Sequence, residues 1–79
     1  MGILLIVLAL AAADAPSQQQ SDFANGLFHR GFYKEAVDEY ETYLKTNPSG
    51  PEAMIAWYRL GESAYSTNQY DKALAAFDH

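Results

Sequence analysis

The chain of 79 residues carries ten acidic and five basic side chains, a net charge of −5. No positive field is available to neutralise phosphates or hold an anionic membrane surface, so nucleic acid is not an expected partner. Six Tyr, four Phe and one Trp speak against disorder and for one small packed domain; the absence of cysteine removes disulfides, thiolate nucleophiles, Cys-based zinc sites and lipid attached through a Cys.

Residues 1–13 contain no charged side chain. The run is shorter than the roughly 20 apolar residues of a membrane-spanning helix and has the length of a secretory signal core. Ala11-Ala12-Ala13 before Asp14 supplies the small-residue processing site such a signal needs. Ala13-Asp14-Ala15 is a second candidate, disfavoured by Pro16. No Lys or Arg precedes the run, which leaves the terminal amine as its positive charge. Ile3, Leu4, Leu5, Ile6, Val7 and Leu8 cover every face of a helix, which argues against an amphipathic core element. Residues 1–13 are therefore expected to be a signal peptide or short hydrophobic anchor, with the chain exported and periplasmic, or membrane-anchored if the segment is not cleaved. Residues 14–20, with Pro16, Ser17 and three Gln, read as a polar linker.

Helices are expected over about 18–30, 33–46, 52–67 and 70–79. Tyr33, Ala36, Val37, Tyr40 and Leu44 recur at steps of three and four, as do Trp57, Leu60, Gly61, Ala64 and Tyr65, so each set defines one buried stripe. Between the middle pair, Asn47-Pro48-Ser49-Gly50-Pro51 stops one helix and offers Pro51 to the first turn of the next. Sliding the sequence on itself by 37 positions brings Phe23, Ala24, Tyr33, Ala36, Val37 and Tyr40 onto Leu60, Gly61, Tyr70, Ala73, Leu74 and Phe77. Large falls on large and small on small. The same shift places Gly31 on Asn68, the residue types that most readily take the left-handed conformation closing a helix.

Two helix-turn-helix units follow, residues 18–47 and 51–79, and here the residues carry a family resemblance. Trp57, Leu60 and Gly61, then Ala73 and Phe77, together with Ala36, Tyr40 and Pro48 of the first copy, resemble the tetratricopeptide repeat signature. Ala64 stands where the signature has Tyr, and Gln20 where the first copy should have Trp. The nine-residue step from Pro48 to Trp57 is longer than usual and resembles the repeats of exported bacterial envelope proteins of the Tol-Pal cell-division coordinator type. The resemblance implies an all-α, antiparallel helix-turn-helix array, an α-solenoid fragment. Such arrays normally need at least about three repeats and a polar cap. A fragment of a longer reading frame, a marginal monomer, or a protomer that completes its core by association is expected.

No catalytic residue, cofactor, metal or small-molecule substrate is expected. His29 and His79 are the only imidazoles and do not form a His-Glu-x-x-His pattern. Asp38, Glu39 and Glu41 fall on polar helix faces, with Glu41 four residues before Lys45, the favourable pairing order. The resemblance further implies a protein or peptide partner held on the inner surface of the first helix of each pair, formed by Ser21, Asn25, Phe28 and His29 in one copy and Tyr58, Glu62, Tyr65 and Ser66 in the other. Without a Lys/Arg cluster to hold an acidic terminus, neutral, aromatic or mildly basic segments fit it better. Two alternatives to an envelope scaffold stand: an N-terminal accessory segment of a larger secreted or membrane-attached enzyme, and a homo-oligomeric structural protein that self-associates through the Tyr70 to Phe77 face.

Overall fold

The computed structural model describes residues 17–79; the expected signal, residues 1–13, and the start of the linker lie outside the described residues. Four helices follow one another: α1 over residues 17–29, α2 Tyr33–Thr46, α3 Pro51–Ser66 and α4 Tyr70–Phe77. There is no strand among the described residues, and no helix there is long and apolar enough to cross a membrane. The expected bounds agree within two or three residues, the usual scatter of helix ends. One difference has a local cause. Residues 18–20, shared by the linker and helix readings, are helical, as is Ser17, and Gln18 Nε2 donates to Asp22 Oδ1 four residues on at 3.0 Å, a pairing that supports a helix where composition alone suggests a connector.

Both helix-to-helix turns close identically. In the first, the N–H of Phe32 donates to the Leu27 carbonyl at 2.9 Å and that of Gly31 to Phe28 at 3.0 Å. In the second, Gln69 donates to Ala64 at 2.8 Å and Asn68 to Tyr65 at 3.1 Å. Each is the paired-bond cap that needs a left-handed residue at its centre, and Gly31 and Asn68 supply it with φ of 81° and 64°. Four backbone bonds thus obey the 37-residue shift. The longer connector closes differently: Asn47 donates from its amide nitrogen and its side chain to the Tyr43 carbonyl, and Pro51 opens α3.

Small residues set the approach of the helices. Ala24, Ala36, Ala53, Ala64 and Ala73 are buried, with Val37, Tyr40, Leu44 and Leu60 filling the space between them. α2 packs on α3, and α3 on α4. Gly61 is the tightest point, since a Cβ there would stand 2.6 Å from Cδ1 and 2.8 Å from Cζ of Phe77. The Phe77 ring therefore lies over α3 because residue 61 has no side chain.

Two side chains depart from what their spacing suggests. Glu41 Oε1 is held by Lys72 Nζ at 3.0 Å instead of by Lys45, so the ion pair ties α2 to α4. Trp57 is only partly buried. Its Nε1 donates to the Pro48 carbonyl at 3.3 Å and its ring stacks on His79 with centroids 3.6 Å apart, so truncation to alanine should cost less than the roughly 3–5 kcal/mol of an enclosed tryptophan.

Two glycine substitutions should move stability in opposite directions. Gly61→Leu overpacks the crossing under Phe77 and should cost about 1–3 kcal/mol. Gly26→Ala places its methyl where nothing lies within 4 Å, in the interior of α1, and should add about 0.5–1 kcal/mol. Thermal melts of the two variants check both signs.

Candidate functional site

Asn25 is the point where three helices meet. Its Oδ1 accepts from the Tyr40 hydroxyl of α2 at 2.6 Å and from Arg59 Nη1 of α3 at 2.8 Å. The Arg59 guanidinium lies 5.4 Å from the centroid of Phe28, whose ring is edge-on to Tyr33 and Tyr40. One turn earlier the Ser21 hydroxyl, 3% exposed, donates to Glu52 Oε1 at 2.7 Å. These contacts follow from register. Ser21, Asn25 and Phe28 recur at four and three residues along α1, one line of side chains, and α3 lays Glu52 and Arg59 along it.

The eight residues expected to form a groove therefore separate. In the first copy, Ser21, Asn25 and Phe28 are engaged by α3, and His29 remains exposed. In the second copy, Tyr58, Glu62, Tyr65 and Ser66 come together on the flank of α3 and line a shallow concavity of about 380 Å³, closed on one side by Phe77. A second concavity of similar size adjoins it across Tyr65 and Phe77 and reaches Tyr70, Asp71 and Leu74. Tyr58 lies against Phe77 with centroids 5.8 Å apart, and Tyr65 against Tyr70 at 5.4 Å.

The two copies thus present the same face, covered once and open once. Val37 and Tyr40 are each 1% exposed, whereas their counterparts Leu74 and Phe77 are 73% and 46% exposed. Leu74 and Phe77 were not expected to line the site. The self-match of the sequence carries the signal for them, because position 77 repeats Tyr40, which meets Asn25 and Phe28, and position 74 repeats the buried Val37.

The open face holds hydroxyl, carboxylate and aromatic groups without a nucleophile–base pair in contact. Among the described residues no group of three His, Asp or Glu side chains converges as metal ligands would. Glu62 places one carboxylate beside three aromatic rings, an arrangement suited to holding a cation or a polar donor at the rim of an apolar contact. In the covered copy, burial raises the Tyr40 phenol above its usual value, with the Arg59 guanidinium opposing it, and burial also raises Tyr43.

A family model for the tetratricopeptide repeat matches residues 21–79, from the first helix pair through the second. No curated protein and no solved structure gives a significant match.

Asn25→Leu should strand the Tyr40 hydroxyl and the Arg59 guanidinium and cost about 1–3 kcal/mol, part of which Tyr40→Phe in the same chain should restore; urea unfolding of the single and double variants measures the coupling. Because the Tyr40 phenol titrates higher in the folded chain than in the unfolded one, its contribution is complete below pH ~10 and is lost as pH rises through the folded value. Alkaline unfolding monitored by circular dichroism should therefore be less steep in Tyr40→Phe than in the wild type.

Proposed function

The chain belongs to the tetratricopeptide repeat family, and on that premise we propose that it is a non-catalytic scaffold of the bacterial cell envelope that holds a protein partner on the open flank of α3 and α4. Tetratricopeptide repeats are in general protein-interaction modules, and the observation that carries the proposal is the face itself. Tyr58, Tyr65, Tyr70, Leu74 and Phe77 are all exposed on two adjoining concavities. Contiguous apolar surface of this kind marks an interaction site, and the aromatic residues that dominate it are the side chains that most often carry binding energy.

Placement in the envelope is supported by the uncharged run of residues 1–13, by the Ala-x-Ala sequence before Asp14 and by the long connector between Pro48 and Trp57. The net charge of −5 suits a protein partner with neutral or basic contact segments.

Two measurements test the two halves separately. A C-terminal alkaline phosphatase fusion should be active in a bacterial host, since that reporter matures only after export; an inactive, cytoplasmic fusion would remove the envelope assignment. A photo-crosslinking amino acid at position 65 should yield a discrete protein adduct, while the same group at Asp38, on the exposed side of α2, should yield none. Equal labelling at both positions would remove the face as the partner site.

A further inference from the structure

Asn25 and Gly26 stand side by side in the interior of α1, and the fold does not call for either residue type. Gly26 has helical backbone, without the positive φ of Gly31 and Gly50, and a Cβ there would meet nothing within 4 Å. Neither a turn nor a close approach requires a glycine. Position 25 serves as an acceptor: its Oδ1 takes the Tyr40 hydroxyl at 2.6 Å and Arg59 Nη1 at 2.8 Å, while Nδ2 donates to no group among the described residues. A carboxylate would meet the same two donors and add the attraction of the Arg59 charge. The 37-residue shift puts one, Glu62, at this position of the second copy.

An asparagine followed by glycine has a spontaneous route to that carboxylate, because no side chain obstructs the following backbone nitrogen. The Gly26 nitrogen attacks Cγ of Asn25. The N–Cγ bond forms, the nitrogen gives up its proton, and the Cγ–Nδ2 bond breaks with release of ammonia. Water, the one co-reactant, then opens the cyclic imide. Opening at Cγ restores the ordinary main chain with an aspartate side chain, and opening at the main-chain carbonyl leaves an isoaspartate whose main chain is one methylene longer. Asn47 does not follow this route, since Pro48 has no N–H to give up, and at Asn68 the side chain of Gln69 crowds the attacking nitrogen.

Within α1 the reaction is held off, because helical geometry keeps the Gly26 nitrogen from Cγ and ties its N–H to the carbonyl four residues back. Opening of α1 releases both, and a glycine in a helix interior makes that opening easier. We propose that Asn25 is a deamidation site gated by the opening of α1, and that its aspartyl product is the form the α1–α3 junction holds more firmly. Glu52 and Glu62 are the other carboxylates whose charge reaches the Tyr40 phenol, and neither bonds Asn25. The direct contact with Arg59 outweighs their repulsion. The chain thus carries a slow, one-way change that tightens the seam between its helix pairs. The isoaspartyl product, with its lengthened main chain, breaks the register of α1 and does not close that seam.

The test incubates the full chain at mildly alkaline pH, in buffer and in urea, and follows each asparagine by peptide mapping with mass spectrometry. Conversion at position 25 should be slower in buffer by about tenfold or more, with Asn47 and Asn68 intact while it proceeds. Gly26→Ala should slow conversion in urea as well, which separates the chemistry of the dipeptide from the protection given by the helix. In urea titrations Asn25→Asp should raise the folded-to-unfolded ratio about fivefold, and the gain should vanish or reverse in an Arg59→Gln background. Equal conversion with and without urea, faster conversion at Asn68, or Gly26→Ala without effect in urea would overturn the gated site. An Asn25→Asp chain no more stable than the wild type, or a gain that survives Arg59→Gln, would overturn the tightened junction.

Discussion

A pair of antiparallel helices has an apolar flank that it cannot bury against itself, so another helix must cover it or it stays exposed. The first pair of this chain meets that requirement with α3, and the contacts of Ser21, Asn25 and Phe28 with α3 follow. Ser21 reaches Glu52, Asn25 gathers Tyr40 and Arg59, and Val37 and Tyr40 are sealed from water. The second pair has the same flank, built from the corresponding positions, and among the described residues no further helix lies on it.

The parts of the fold that were legible in the sequence are those fixed by local chemistry. Gly31 and Asn68 close equivalent turns because few other residues accept a positive φ, and their shared position in the two copies is visible without coordinates. The alanines at the helix crossings and the Gly50-Pro51 start of α3 belong to the same class. Contacts that join distant segments were not legible. Glu41 has a basic residue four positions ahead and pairs instead with Lys72, thirty-one positions away, a partner that helical spacing within α2 does not display. Trp57 looks like a core residue by spacing, yet its indole serves the connector through Pro48 and stacks under His79. Periodicity gives the face of a helix and says little about how deeply that face is covered.

The candidate site shows the same limit. Helical spacing selects one line of side chains on α1 and the matching line on α3, and both are real lines on the structure. Whether a line faces solvent depends on what comes after it in the chain. Ser21, Asn25 and Phe28 are followed by α3 and become an interface within the fold. Tyr58, Glu62 and Tyr65 have only α4 beside them among the described residues and form a surface. Position 77 enters the site for a steric reason that composition does not display: the missing side chain at Gly61 lets the Phe77 ring rest on α3 and wall the concavity.

Differences between the two copies bear on what the open face does. In the covered copy, the tyrosine hydroxyl at position 40 must find an acceptor because it is buried, and Asn25 supplies one. In the open copy the corresponding ring is phenylalanine and the corresponding amide is a carboxylate, so Glu62 is not drawn into satisfying a neighbour from its own repeat. Glu62 lines the concavity beside Tyr58, Tyr65 and Phe77 and makes no side-chain hydrogen bond among the described residues. Had positions 62 and 77 kept Asn and Tyr, the same surface would have closed its own polar pair and presented a largely apolar patch. The exchange leaves a carboxylate among aromatic rings on this face, where the first copy holds an amide engaged by Tyr40 and Arg59.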